Sequence, residues 1–385
     1  MLVQQQPVLK LTCRELKELR KVAVGDLSVT VQSEPLTITI RGPGNKLVQE
    51  LFFGAEDGVV SFRTAAPVLG LGEGGPQFDR RGHQFPMLNG QRPPLLATHG
   101  ATIPVPFLIG TDGWALFFNG PWGEFGLRGG RGRFLPRQEA LGREPLQLYV
   151  VGLRQPADAP AAYVRLTGHP VMPPRWALGY LQSHRTLASP REPAAIAKMF
   201  RARQLPCEAL IYLGTGYCPA GWNLGHGSFD FNPRTFDRPA ENLAALHDLH
   251  FKVVLHVNQP PRDLFGASVA EPADSLHHIR NYWARHRQVF QLGVDGWWPD
   301  DGDELPIEAR LARHRCYYEG PLQDRPNVRP WSLHRNGYAG AQRYGGWIWS
   351  GDVASRWQTL AAHVPVGLNH SLSLTPFWGT DTGGF

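Results

Sequence analysis

Lysine is scarce in this chain: six of its 39 basic residues are lysine and the rest are arginine. The arginines are scattered and never run five together, so the net charge of +6 describes a solvated surface rather than a nucleic-acid footprint. Cysteine is scarcer still. Cys13, Cys207, Cys218 and Cys316 contain no C-x-x-C pair, which argues against a zinc site and a dense disulfide framework; a Cys207–Cys218 contact stays open. No run of 18 apolar residues exists, so no membrane span is expected. The amino-terminal MLVQQQPVLK has no long apolar core, so no signal peptide is visible and a cytoplasmic location is expected.

Glycine (43), proline (34) and tryptophan (12) are abundant instead. The first two predict many turns and irregular loops. Surplus tryptophan suits sugar binding, because pyranose C–H faces stack on rings, but it serves equally as core filler. With 385 residues the chain can hold two domains, and the pattern divides near residue 172. Before it, runs at 27–32, 37–42, 46–53, 59–64, 103–110, 114–120 and 146–152 alternate apolar with polar and end at Gly, Pro, Asn or Asp. That is the signature of an antiparallel β-sandwich, assigned to residues 1–172. Helical periodicity in this part is confined to 13–22.

From residue 173 the rhythm becomes strand, helix, strand. Strands are expected at 176–182, 208–214, 252–258, 295–300, 332–336 and 375–381. Amphipathic stretches such as 192–204, 240–250, 275–293 and 356–368 lie between them. Repetition of this kind implies a parallel sheet, and polar strand ends imply a (β/α)8 TIM-type barrel with its site at the carboxyl ends of the strands. Six units fall short of the eight that close a barrel, so residues 173–385 are expected to lack the last strands. A doubly wound open sheet needs no more strands, but no glycine-rich phosphate turn follows the first one.

Two segments concentrate chemistry. In 295–304, DGWWPDDGDE, five carboxylates and two tryptophans crowd a strand end. In 335–352 a loop rich in glycine and aromatics closes on Asp352. Glycoside hydrolysis needs two carboxylates, one ionised to attack and one protonated to assist departure. Asp300 and Asp352 suit the two roles from their surroundings, with Trp297, Trp298 and Trp349 as apolar walls. A calcium loop is the competing reading of DDGDE, but the twelve-residue spacing and terminal Glu of an EF-hand are missing. Residue types alone leave both readings open.

The motifs carry a resemblance. Gly70-Leu-Gly-Glu73, Trp176-Ala-Leu-Gly-Tyr-Leu-Gln-Ser183, Trp298-Pro-Asp300, Arg335 with Gly340, Arg343 and Ser350-Gly-Asp352, and Gly379-Thr-Asp381-Thr-Gly-Gly-Phe385 follow one another as in glycoside hydrolase family 31. The chain resembles that family, mostly α-glucosidases and α-xylosidases, over nearly its whole length. The resemblance implies Asp300 as nucleophile, chosen over Asp301 and Asp303 by its spacing from Trp298, and Asp352 as general acid/base. It implies a donor-sugar site with Arg335, Trp298, Trp349, Asp381 and Phe385. It implies no metal and no organic cofactor, an oligosaccharide or glycoside as partner, and leaves an oligomer open.

One departure stands out. The second barrel strand runs Leu210-Ile-Tyr-Leu-Gly-Thr-Gly-Tyr217 without the carboxylate that many α-glucosidases of the family carry there. The loop after it offers Trp222, Asn223 or His226 instead. His256, at the end of the third strand, either faces the mouth or is a structural histidine. The expected activity is retaining, exo-acting hydrolysis of α-glycosides. The alternatives are α-transglycosylation and, because barrel strands are expected to be missing, a non-catalytic carbohydrate-binding remnant.

Overall fold

The computed structural model describes residues 2–3, 8–54, 58–91, 96–120, 122–137, 145–257, 276–303 and 305–385. Asn258, Ser275 and Glu304, which the expected third strand, third helix and acidic run include, lie outside the described residues. The chain forms two compact units. One comprises Met1–His169, Asp352–Pro376 and Thr382–Phe385; the other comprises Pro170–Gly351 and Phe377–Asp381.

The first unit holds strands β1 (Arg20–Val24), β2 (Leu27–Ser33), β3 (Leu36–Arg41), β4 (Leu47–Phe53), β5 (Val60–Arg63), β6 (Val68–Glu73), β7 (Gln84–Pro86), β8 (Ile103–Gly110), β9 (Trp114–Gly120), β10 (Gly123–Gly126), β11 (Arg131–Pro136) and β12 (Gln147–Gly152). They pair antiparallel in two sheets, ordered β1-β2-β3-β4-β5-β11-β10-β7 and β12-β9-β8-β6. Alternation along each strand sends one set of side chains inward. Val60 and Phe62 of β5, Leu116 and Phe118 of β9, Phe125 and Phe134 thus share one core. Phe118 packs on Phe134 at 4.5 Å and on Phe125 at 5.1 Å. Each such buried side chain contributes about 1.5–3 kcal/mol over its exposed state. Helix α1 (Ala159–Thr167) follows β12 and stacks Tyr163 on Phe107 at 4.2 Å.

The Gly70-Leu-Gly-Glu73 motif has a packing reason. The β6–β8 register shifts between Gly70 and Gly72, both at positive φ (98° and 71°). A Cβ at Gly72 would lie 2.3 Å from the Ile103 carbonyl oxygen, so only glycine fits. The exposed backbone groups of this bulge are then collected by side chains. Buried Arg80 donates to the carbonyls of Gly70 and Gly72 at 2.9 and 3.0 Å. Asn369 and Ser373 accept from their N–H groups at 2.7 and 2.9 Å.

The second unit holds β13 (Leu181–His184), α2 (Glu192–Ala202), β14 (Ala209–Tyr212), α3 (Pro239–Asp248), β15 (Lys252–Val257), α4 (Leu276–Gln291), β16 (Gly296–Pro299), α5 (Ile307–Asp324), β17 (Ser332–His334), β18 (Gly346–Trp349) and β19 (Trp378–Gly379). Helix α6 (Trp357–Leu372), which carries Asn369 and lies between β18 and β19 in sequence, belongs to the first unit. The seven strands pair in parallel in chain order, and this is the sheet of a TIM-type (β/α) barrel. Strands β14 and β16 are buried at every residue, which is why they read as continuous apolar runs. Among the described residues no ladder joins β19 to β13. The four cysteines are free, and no described helix is long and apolar enough to cross a membrane.

Three expectations need correction. Residues 13–22 are not helical; Arg20–Val24 forms β1, paired with β2 across Gly25 and Asp26. A ten-residue helix without a packed face is marginal, and the two-residue hairpin wins. The first barrel strand starts later than 176: Arg175–Leu178 is a 3-10 turn after Pro174, and β13 begins at Leu181. Trp176 therefore packs on Trp331 at 5.3 Å instead of lying in the sheet. The count of six strands missed β18, four residues that begin on a glycine inside what reads as a loop.

Candidate active site

The barrel pattern places Asp300 one residue beyond β16, where the apolar run Gly-Trp-Trp-Pro ends. Its main-chain N–H donates to the Val257 carbonyl at 2.9 Å, which anchors it to the end of β15. The side chain is nearly buried, yet both carboxylate oxygens are partnered. Nε2 of His256 lies 3.0 Å from Oδ2. The N–H of Asp301 donates to Oδ1 at 2.7 Å, and the Arg335 guanidinium stands 3.3 Å from the same atom. Burial pushes the Asp300 pKa up; the His256 hydrogen bond and the Arg335 charge outweigh it and hold the group down at about 2. Asp300 is therefore an ionised carboxylate at neutral pH.

Arg335, one residue past β17, is the hub of the acidic loop. It bonds Asp301, and it reaches both oxygens of Asp303 at 3.2 Å. Its guanidinium also lies over the Trp349 ring, 5.5 Å from the centroid. A second arginine works from below. Arg313 of α5, fully buried, donates to the carbonyls of Asp300 and Asp301 at 2.7 and 3.0 Å. Asn336 adds a bond to the Asp301 carbonyl at 2.7 Å. These contacts hold Asp301 at φ 53° and leave no room for a side chain at Gly302, where a Cβ would meet Arg313 at 2.7 Å.

Removing the hub has a predictable sign. Asp300 titrates lower folded than its ordinary value of 3.8, so its ionisation stabilises the fold above about pH 4, and that stability is lost as pH falls through about 2. In Arg335→Met the folded pKa rises and the loss begins at higher pH. At pH 7 the variant leaves buried carboxylates uncompensated, a cost of about 3–5 kcal/mol. Urea unfolding at pH 7 and pH 3 measures this; the gap between the proteins narrows at the lower pH. Equal stability of parent and variant at pH 7 contradicts the hub role.

The remaining expected site residues fall in different places. Trp298 is 6% exposed, set edge-on to His256 at 4.5 Å and to Trp349 at 5.1 Å. Trp349 is buried, and its indole N–H donates to Asp381 at 3.4 Å. Asp352 lies three residues beyond β18, half-buried, with its main chain bracketed by the Gln91 amide at 2.9 and 3.2 Å. Phe385 is 49% exposed, and its N–H donates to the Val353 carbonyl at 3.0 Å.

Trp222 departs from expectation. It is fully buried and donates its indole N–H to the His256 carbonyl at 2.7 Å, so it supports the site from behind. Asn223 is likewise spent on its own loop, accepting from Thr215 and donating to Gly225 and Ser228. At the carboxylate-free end of β14 the polar group is Tyr217, whose hydroxyl bonds Asp301. Burial, reinforced by Asp301 and Asp300, raises the Tyr217 pKa far above its ordinary value. Neither Tyr217 nor Arg313 was expected at the site. For Arg313 the available signal was a basic pair, Arg310 and Arg313, at helical spacing downstream of an acidic loop.

A parallel (β/α) barrel that gathers carboxylates, tryptophans and an arginine at the carboxyl ends of its strands has the layout of a barrel enzyme site. The Glycosyl hydrolases family 31 TIM-barrel domain matches residues 170–272 and 273–385, and the chain belongs to that family. An α-xylosidase of Saccharolobus solfataricus is 27% identical over 330 residues, 75% of this chain and 44% of its own. Alpha-glucosidase 2 of Bacillus thermoamyloliquefaciens is 27% identical over 62% of this chain and 37% of its own. This chain thus spans less than half the length of these relatives. In fold it is similar to a mutant of the Flavobacterium johnsoniae family 31 dextranase complexed with isomaltotriose. The TM-score there is 0.79, at 21% identity, over 97% of this chain and 53% of that one.

Proposed function

We propose that the protein is a retaining, exo-acting α-glycosidase in which Asp300 is the nucleophile and Asp352 the general acid/base. The observation that carries this is Asp300 itself: a nearly buried carboxylate at a barrel strand end, held ionised by His256 and Arg335. Asp300 forms a bond to the anomeric carbon as the glycosidic C–O bond breaks, and Asp352 gives its proton to the departing oxygen. Water then loses a proton to Asp352, attacks the same carbon and displaces Asp300. Two inversions leave the configuration unchanged.

Arg335, Trp298, Trp349, Asp381 and Phe385 line the donor site in this reading, with hydroxyl groups of the sugar bonding to Arg335 and Asp381. The support is the family membership and the xylosidase and glucosidase names of the relatives. The test is incubation with aryl α-glucoside, α-xyloside, α-galactoside and α-N-acetylgalactosaminide, following the first-formed sugar by proton NMR. Early α-anomer is expected for at least one donor. An early β-anomer, or release from β-glycosides alone, overturns the assignment.

A further inference from the structure

We infer that His256 is a positioning residue for Asp300, fixed by the Gly214 backbone as the tautomer that donates from Nε2, and that it does not touch substrate. This rests on the proposed role of Asp300 and adds to it. The geometry is as follows. The Gly214 N–H, just past β14, donates to Nδ1 of His256 at 3.2 Å. A nitrogen that accepts from a backbone N–H carries no proton, so the ring proton sits on Nε2, 3.0 Å from Asp300 Oδ2. The ring has no freedom to turn. Its own carbonyl is tied to the Trp222 indole at 2.7 Å, and Trp298 and Tyr217 meet it edge-on at 4.5 and 5.3 Å. At 1% exposure it offers no surface to a sugar.

The consequence is a carboxylate plane set by two points. The Asp301 N–H holds Oδ1 and His256 holds Oδ2, so Asp300 cannot rotate about its last side-chain bond. An attacking oxygen gains rate from such alignment. The charged and titratable groups nearby are Asp300, which His256 faces directly; Arg335, on the other oxygen of Asp300; and Tyr217, whose hydroxyl points to Asp301 and whose ring also meets His226.

The test uses the full chain with His256→Phe, His256→Gln and Asp300→Asn. His256→Phe keeps a ring and loses the donor. The acid limb of its kcat/KM profile moves up by about one pH unit, the worth of one hydrogen bond to a charged group. Its kcat falls with KM nearly unchanged. His256→Gln restores an N–H at the reach of Nε2 and returns both readouts most of the way. Carbon-13 NMR of the Asp300 carboxyl reads the same shift without turnover. A folded His256→Phe whose acid limb and carboxyl titration match the parent overturns the proposal, as does a variant that raises KM alone. Should His256→Phe not fold, the imidazole nitrogen spectrum of the parent decides: Nε2–H supports and Nδ1–H overturns. Asp300→Asn separates the two ideas. Activity surviving there sinks the Asp300 assignment itself, whereas activity lost there with an unmoved acid limb in His256→Phe sinks the role of His256 alone.

Discussion

Asp300→Ala is expected to leave a folded protein that turns over activated α-glycosides roughly 10⁴-fold or more slowly. The reason is covalent. Without the carboxylate no ester to the anomeric carbon can form, and no neighbouring group replaces it. Asp301 is the nearest rival, but its two oxygens are committed to Arg335 and Tyr217. Folding survives because Arg335 keeps Asp301 and Asp303 as counter-charges, and because deleting a desolvated carboxylate removes a buried charge. Added azide gives a sharper readout. It enters the space the carboxyl left and attacks from that face, so the product is a β-glycosyl azide formed in one inversion. Asp301→Ala gives no such product. An Asp300→Ala protein within about tenfold of the parent, or one giving α-glycosyl azide, contradicts the nucleophile assignment.

Where the sequence succeeded and failed has a physical pattern. Strands with clean period-two alternation of apolar and polar residues, such as β2 and β3, are legible because each residue type reports which face it occupies. Strands β6, β10 and β11 carry glycines where side chains would report, so they escape. At Gly72 the missing side chain is itself the fit, since a Cβ would strike the Ile103 carbonyl. The site divides similarly. The strand end that carries Asp300 is legible because polar residues close an apolar run there, while the choice of Asp300 over Asp301 and Asp303 comes from the family resemblance. Trp222 misleads because a loop tryptophan gives no sign of its direction, and here it turns inward to the His256 carbonyl. Arg313 stays hidden for the opposite reason: arginine is read as surface, yet this one is buried against the backbone of Asp300 and Asp301. Tertiary partners, absent from any local window, decide both cases.

Asp352→Ala should differ from Asp300→Ala in kind. A general acid matters in proportion to how badly the leaving group needs a proton. On an alkyl or sugar leaving group the variant loses about 10²–10⁴-fold in kcat/KM. On a dinitrophenyl glycoside, whose oxygen departs as a stable anion, the first step stays near the parental rate. The second step still suffers, because water must attack without a base. The glycosyl–Asp300 ester then accumulates, which shows as a burst of aryl release and a fall in both kcat and KM. Azide needs no base, so it speeds turnover of that ester and yields the α-glycosyl azide, the anomer opposite to that from Asp300→Ala. The limb of the pH profile due to the acid flattens with it. The Gln91 amide bonds the main-chain N–H and carbonyl of Asp352, so the substitution leaves those two bonds in place and the loop stays folded. Equal losses on good and poor leaving groups, with no burst and no azide effect, would leave Asp352 without a proton to give and the acid/base role to another residue.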